Sequence, residues 1–218
     1  MLDPVNRIRN ITGNYRFVSY LMRYWKIKRL IGIGGDKIEK RMISRAIENY
    51  SSARPWSLVD LGCGSRPVNL FDADEVSGFD LNANPDANVK ACNLSIDPIP
   101  LEANSLDFVI AQNFIEHVPR ILSTSSGTRF PFIDLMADIH RILKINGLFF
   151  SKTPAYPRLE AFQDPTHVNI ITNDTFPYYF CWHPFGGPWG KLYGFHGRFE
   201  LVQQRWQGSH LLTLMRKI

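Results

Sequence analysis

Cysteine is scarce in this 218-residue sequence, and the three present, Cys63, Cys92 and Cys181, are widely spaced and odd in number. That excludes a disulfide framework, and without a Cys-x-x-Cys pair the common zinc and redox motifs go as well. No apolar run reaches the roughly 18 residues of a membrane-spanning helix, and the opening MLDPVNRIRNITGNYR lacks the apolar core of a secretory signal. The expectation is a soluble, cytoplasmic protein. No segment recurs at a fixed period, which removes repeat architectures. Hydrophobic residues make up 44% and charged residues 21%, the balance of a chain that buries a globular core.

A surplus of positive charge is missing from most of the chain. Residues 1–50 hold eleven Lys or Arg against four Asp or Glu, so the net +5 arises there and residues 51–218 are slightly acidic. The basic stretch YRFVSYLMRYWKIKRLIGI, a Gly34-Gly35 break, and DKIEKRMISRAIENY predict two helices within 1–50. Such a segment can touch a membrane surface or phosphate. The favoured reading is plainer, a helix pair with solvated charges packed on the main domain. With so modest a surplus and no RNA-binding module, nucleic acid is disfavoured as a partner.

From Ser57 the pattern becomes short apolar, β-branched runs between turn residues, as in buried strands of an α/β sheet. SLVDL, EVSGFDL, NVKACN, SLDFVIAQN and GLFFSKTP are the first five strands, and FIEHV is expected to start a helix after the fourth. RFPFIDLMADIHRILK carries a helical apolar stripe ending at Asn146-Gly147, and FELVQQRWQGSHLLTLMRKI divides at Gln207-Gly208 into an antiparallel hairpin. The fold class is therefore α/β, a doubly wound, mostly parallel sheet closed by a C-terminal antiparallel hairpin, with N-terminal helices. Residues 51–218 form its domain, with an insertion at about 154–197.

In such a sheet a ligand sits beyond the carboxyl ends of the strands, where strand order reverses. The residues there are Gly62-Cys63-Gly64, Asp80-Leu81, Asn93-Leu94, Gln112-Asn113 and Glu116-His117. A glycine pair admits close backbone approach, and an acid at the tip of the second strand can accept two ribose hydroxyls. The dinucleotide fingerprint needs a third glycine where this chain has Pro67.

LVDLGCGSRP, VSGFDLNAN, LDFVIAQNFIEHV and IHRILKINGLFFSKTP resemble, in order, the motifs of class I S-adenosylmethionine-dependent methyltransferases. The resemblance covers about residues 55–152, and the final hairpin is similar to the family's sixth and seventh strands. It implies a Rossmann-like seven-stranded sheet, S-adenosylmethionine as cofactor, and methyl transfer to a small-molecule or sugar acceptor, preferably a hydroxyl. An RNA methyltransferase and an inactive cofactor-binding relative are the alternatives. Carried over by position, Asp60, Gly62, Cys63 and Gly64 border the methionine part and Asp80, followed by Leu81, holds the ribose. Asn93 and Leu94 border the adenine, while Gln112 and Asn113 face the sulfonium and substrate. Arg66-Pro67 departs from the family, and the short span to Asp80 leaves room for a first helix that is short or absent.

For the acceptor, His117 is the first candidate base because it follows strand four at the ligand edge. Ubiquinone-pathway and small-RNA methyltransferases resemble this stretch with a Glu-x-x-Glu-His pattern that binds a divalent ion. Here Asn113 replaces the first Glu, and a neutral amide is a poor ligand for a hard cation, so no metal is expected. The insertion holds 11 of the chain's 28 aromatics, among them Tyr178, Trp182, Phe185, Trp189 and Tyr193. A satellite core explains most of them. Asp164 and His167 are a second base or hydroxyl-orienting pair. Oligomeric state is left open.

Overall fold

The structure, a computed structural model, describes residues 38–183 and 186–218. The expected first basic helix and Phe185 lie outside them. The chain divides between Glu39 and Lys40, and the unit Lys40–Ile218 carries the sheet. Its strands are β1 (Ser57–Leu61), β2 (Glu75–Asp80), β3 (Val89–Ala91), β4 (Leu106–Gln112), β5 (Leu143–Pro154), β6 (Phe199–Gln207) and β7 (His210–Lys217). They lie in the order β3-β2-β1-β4-β5-β7-β6. Pairings from β3 through β5 are parallel; β7 runs antiparallel to β5 and β6. Order reverses between β1 and β4, where Leu61 pairs with Ala111, so the crevice opens at their carboxyl ends.

The central strands are buried on both faces, which is why they read as unbroken apolar runs. Neighbouring side chains alternate between two cores. Val59, Leu61, Val109 and Phe149 belong to one, Leu58, Phe108, Ile110 and Phe150 to the other. The first face is covered by a helix over Pro131–Ile142, which buries Phe132, Leu135, Met136, Ile139 and Ile142. Phe176, Phe180 and Phe195 of the insertion join that core. Met42, Ile43 and Ala46 of a helix over 38–48 cover the second face, with Phe71 stacked on Phe108 at 4.3 Å between centroids. At the closed end of β1 and β4, buried Asp107 receives the Tyr50 hydroxyl at 2.7 Å, the Ser57 amide at 2.9 Å and Lys144 Nζ at 2.8 Å. Burial works to raise its pKa, but these donors outweigh it and hold the carboxyl below the usual range.

Local structure differs from expectation at two points. FIEHV yields only a 3-10 turn, Ile115–His117, because Pro119 forces Val118 into an extended conformation (φ −82°, ψ 120°) before a helix can grow. Asn146-Gly147 does not cap the long helix. That helix stops at Ile142, and the pair forms an irregularity at the start of β5, where the pairing jumps from Leu106 with Leu143 to Phe108 with Leu148. Asn146 there is left-handed (φ 67°), and a Cβ on Gly147 would lie 2.8 Å from the Lys144 carbonyl. No helix follows β1; residues 62–74 form turns.

Candidate functional site

The turn after β1 is held by strand β2. Gly62 and Gly64 have positive φ (69° and 63°), conformations that favour glycine. The Gly62 amide donates to the Phe79 carbonyl at 2.8 Å, and the Gly64 amide donates to Asp80 Oδ2 at 2.8 Å. Asp80 Oδ1 accepts no hydrogen bond among the described residues. Asp60 is nearly fully buried, and its Oδ2 accepts from the Val68 amide at 2.9 Å, a substitute for the cap a first helix would have needed. Burial raises its pKa to about 7, against the Val68 amide and aided by the negative Asp80. The Cys63 thiol is pushed up to about 11 by burial and by both carboxylates, and its sulfur packs on Gly78. Raised in this way, the sulfur stays a protonated thiol near neutral pH.

The remaining cofactor-side residues divide. Leu81 is 67% exposed beside Asp80. Asn93 Oδ1 accepts from the Ser95 amide at 3.2 Å, whereas the Leu94 side chain is in the core. Gln112 is half-buried at the end of β4. Asn113 is left-handed (φ 50°), and its Oδ1 is 2.8 Å from His210 Nε2 at the start of β7. It is thus engaged away from Glu116 and His117. Phe114 lies against Gly62, where an added Cβ would meet its ring at 2.4 Å.

On the acceptor side the insertion folds back onto the 3-10 turn. His117 Nδ1 is 2.9 Å from Thr166 Oγ1, and Thr166 Oγ1 donates to Asp164 Oδ1 at 2.7 Å. The carboxylate can only accept, so the hydroxyl proton goes to Asp164 and the hydroxyl oxygen receives His117 Nδ1–H. That leaves a lone pair on His117 Nε2. His167 is set the same way, its Nδ1 donating to the Glu160 carbonyl at 3.0 Å. The two rings meet edge to face with centroids 4.8 Å apart. Glu116 lies under them, 1% exposed; Oε2 accepts from Thr153 Oγ1 at 2.7 Å, while Oε1 has no hydrogen-bond partner among the described residues. Burial raises the Glu116 pKa, partly offset by Thr153 and the histidines. One ligand atom from each of Glu116, His117 and His167 lies within 4.8 Å of the others. Asp164, exposed, is held below the ordinary range by hydrogen bonds from Thr166.

Sequence reading named His117, His167 and Asp164, and the structure brings all three together. It missed Thr153, Thr166 and His210. Thr153 ends β5 at the ligand edge and was open to the same end-of-strand search; Thr166 and His210 depend on how distant segments fold back.

No family model and no curated protein matches this sequence. Solved structures do match. A SAM-dependent methyltransferase from Archaeoglobus fulgidus is 15% identical, covering 83% of this chain and 94% of its own, with a TM-score of 0.51. Geranyl diphosphate methyltransferase, solved in complex with SAM, is 14% identical over 84% of this chain and 87% of its own, TM-score 0.51. The [4+2]-cyclase SpnF is 12% identical over 82% and 80%, TM-score 0.50. At these identities the likeness is one of architecture. The unit built on β1–β7 has the Rossmann-like fold of the class I SAM-dependent methyltransferases.

Proposed function

We propose that this protein is a SAM-dependent methyltransferase acting on a hydroxyl of a small-molecule or glycan acceptor. One observation carries the reading. At the edge where strand order reverses, two left-handed glycines are fixed by strand β2, Gly62 by the Phe79 carbonyl and Gly64 by Asp80, which uses one carboxylate oxygen for that amide and keeps the other for a ligand. Bound there, SAM supplies a sulfonium-activated methyl group. The protein's part is to align the acceptor and exclude water. Asp80 receives ribose hydroxyls, and Asp60 with the glycine turn borders the methionine end. His117 Nε2 accepts the acceptor's proton, its ring oriented through Thr166 by Asp164. Calorimetric titration of the full chain with SAM and S-adenosylhomocysteine tests the reading. Binding at one site per chain is expected; a folded protein that binds neither overturns it.

Asp60 gives the binding a pH signature. Its folded-state pKa is near 7 and its unfolded value near 4. The native state therefore holds the extra proton between those values, and its contribution to stability, complete below the unfolded pKa, is lost as pH rises through the folded one. A cationic ligand beside Asp60 lowers its pKa, so binding at pH 6 is expected to release a proton and to tighten as pH rises toward 8. Titrations in two buffers of different ionisation enthalpy measure this release, and Asp60→Asn should abolish it.

A second reading concerns the acceptor side and is favoured by the orphaned Glu116 oxygen. Two imidazole lone pairs and a buried carboxylate are a ligand set suited to a divalent transition ion, with Nδ1–H groups of both histidines already held by partners. Such an ion would lower the pKa of an acceptor hydroxyl. Equilibrium dialysis against Mn²⁺ or Zn²⁺ should leave one ion per chain. Glu116→Gln should weaken that binding by more than about tenfold, since even outer partners of metal ligands are worth 10- to 100-fold. Loss of all metal on dialysis removes this reading and leaves His117 as an unassisted base.

A further inference from the structure

The insertion forms one side of an open cavity of about 700 Å³ between the start of the Pro131–Ile142 helix and the short helix Thr175–Phe180. That is the size range of small-molecule sites. Its walls are aromatic and hold one another in place. Tyr178 stacks on Trp189 with centroids 5.1 Å apart, and Phe130 meets Tyr193 edge to face at 5.4 Å. Trp189 and Tyr193 are 42% and 44% exposed. Flat, partly open apolar rings of this kind are the surfaces on which another flat ring or a chain of methylenes binds.

Arg120 supplies the charge. Its Nε donates to Asn169 Oδ1 at 2.7 Å, and its Nη2 donates to the Ile170 carbonyl, so the guanidinium is fixed in place. Among the described residues no carboxylate lies within ion-pair distance of it, and burial lowers its pKa. Arg120 is exposed as a residue, and a guanidinium held in one orientation without a carboxylate partner presents its remaining N–H groups to an anion. Asp174, the other charged residue of the lining, is exposed as Arg120 is, and no ion pair joins the two among the described residues. Asn169 connects this cavity to the reacting edge. Fully buried, it donates from Nδ2 to the Ile115 carbonyl at 3.1 Å and from its amide to the Glu116 carbonyl at 2.9 Å.

We propose that this cavity holds the remote part of the methyl acceptor, and that the acceptor is an amphiphile with a flat or extended apolar body carrying an anionic group, carboxylate or phosphate, on Arg120. The inference rests on the methyl-transfer reading for its purpose but not for its test. Binding energy gathered here, away from the reacting hydroxyl, serves to orient that hydroxyl.

The test uses the full chain and two dyes of nearly the same shape, anionic 8-anilinonaphthalene-1-sulfonate and neutral N-phenyl-1-naphthylamine, followed by fluorescence. One anionic dye per chain is expected, bound at least about tenfold tighter than the neutral one, the worth of a charge-assisted contact. Arg120→Gln should erase that difference and leave the neutral dye unchanged. Trp189→Ala, at the exposed rim and harmless to the core, should weaken both. The proposal is overturned if neither dye binds, if the two bind alike, or if binding is indifferent to both variants. Addition of inorganic phosphate and of sodium acetate as competitors separates the two anion sources. SAM titration of the same samples reports the cofactor edge independently, so failure of one leaves the other standing.

Discussion

Asp80→Ala is expected to reduce SAM affinity by about 100-fold or more while the protein stays folded. Two hydrogen bonds from ribose hydroxyls to an ionised carboxylate contribute about 1.5–3 kcal/mol each, and each 1.4 kcal/mol is a factor of ten. The same carboxylate fixes the Gly64 amide at 2.8 Å, so its loss also frees the turn that must approach the ligand. Stability suffers little, because both groups are near solvent and water replaces the lost contact. Asp80→Asn separates the contributions: its amide oxygen can still receive Gly64, but one ribose bond and the charge are gone, and a loss of about tenfold follows. Calorimetry at constant pH measures both. An Asp80→Ala protein that binds SAM like the parent would sink the assignment of this edge as the cofactor site.

Gly62→Ala should be the costliest small substitution in the glycine turn. An L-residue at φ 69° costs about 1–2 kcal/mol. The new methyl would also lie 2.4 Å from the Phe114 ring, which must move within a partly buried shell at a further cost of about 1–3 kcal/mol. For a domain of this size a melting-temperature drop of about 4–20 °C follows. Gly64→Ala is the control, since its φ is similar (63°) but nothing lies within 4 Å of the added carbon. It should lose only about 2–8 °C, less than Gly62→Ala by the share that the Phe114 clash adds. Equal losses in the two variants would mean that Phe114 yields without resistance.

The central strands were legible because burial on both faces writes itself as β-branched and apolar runs; SLVDL and Ser57–Leu61 coincide. The glycine turn and Asp80 were legible for the same reason, as punctuation immediately after those runs. FIEHV misleads because its apolar spacing is helical but Pro119 follows it immediately. Asn146-Gly147 has the form of a helix cap and is in fact an irregularity that only pairing with β4 reveals. The acceptor side was legible by residue type but not by connection. That Thr166 links His117 to Asp164, or that Asn169 joins Arg120 to the turn carrying Glu116, depends on a return of the chain across some fifty positions. No local pattern records such a return.

The missing helix after β1 sets the charge preference of the cofactor edge. A glycine turn that opens a helix offers a positive dipole end and so attracts phosphate. Here no helix follows, and the side chains bonded to the turn are two carboxyls, Asp80 on the Gly64 amide and Asp60 on the Val68 amide. Two carboxyls in place of a helix dipole favour a cation over a pyrophosphate. Under the proposed reaction the sulfonium enters with a positive charge and leaves as a neutral thioether, so the attraction that loads the edge is switched off by turnover itself, and spent cofactor is released down its own electrostatic gradient.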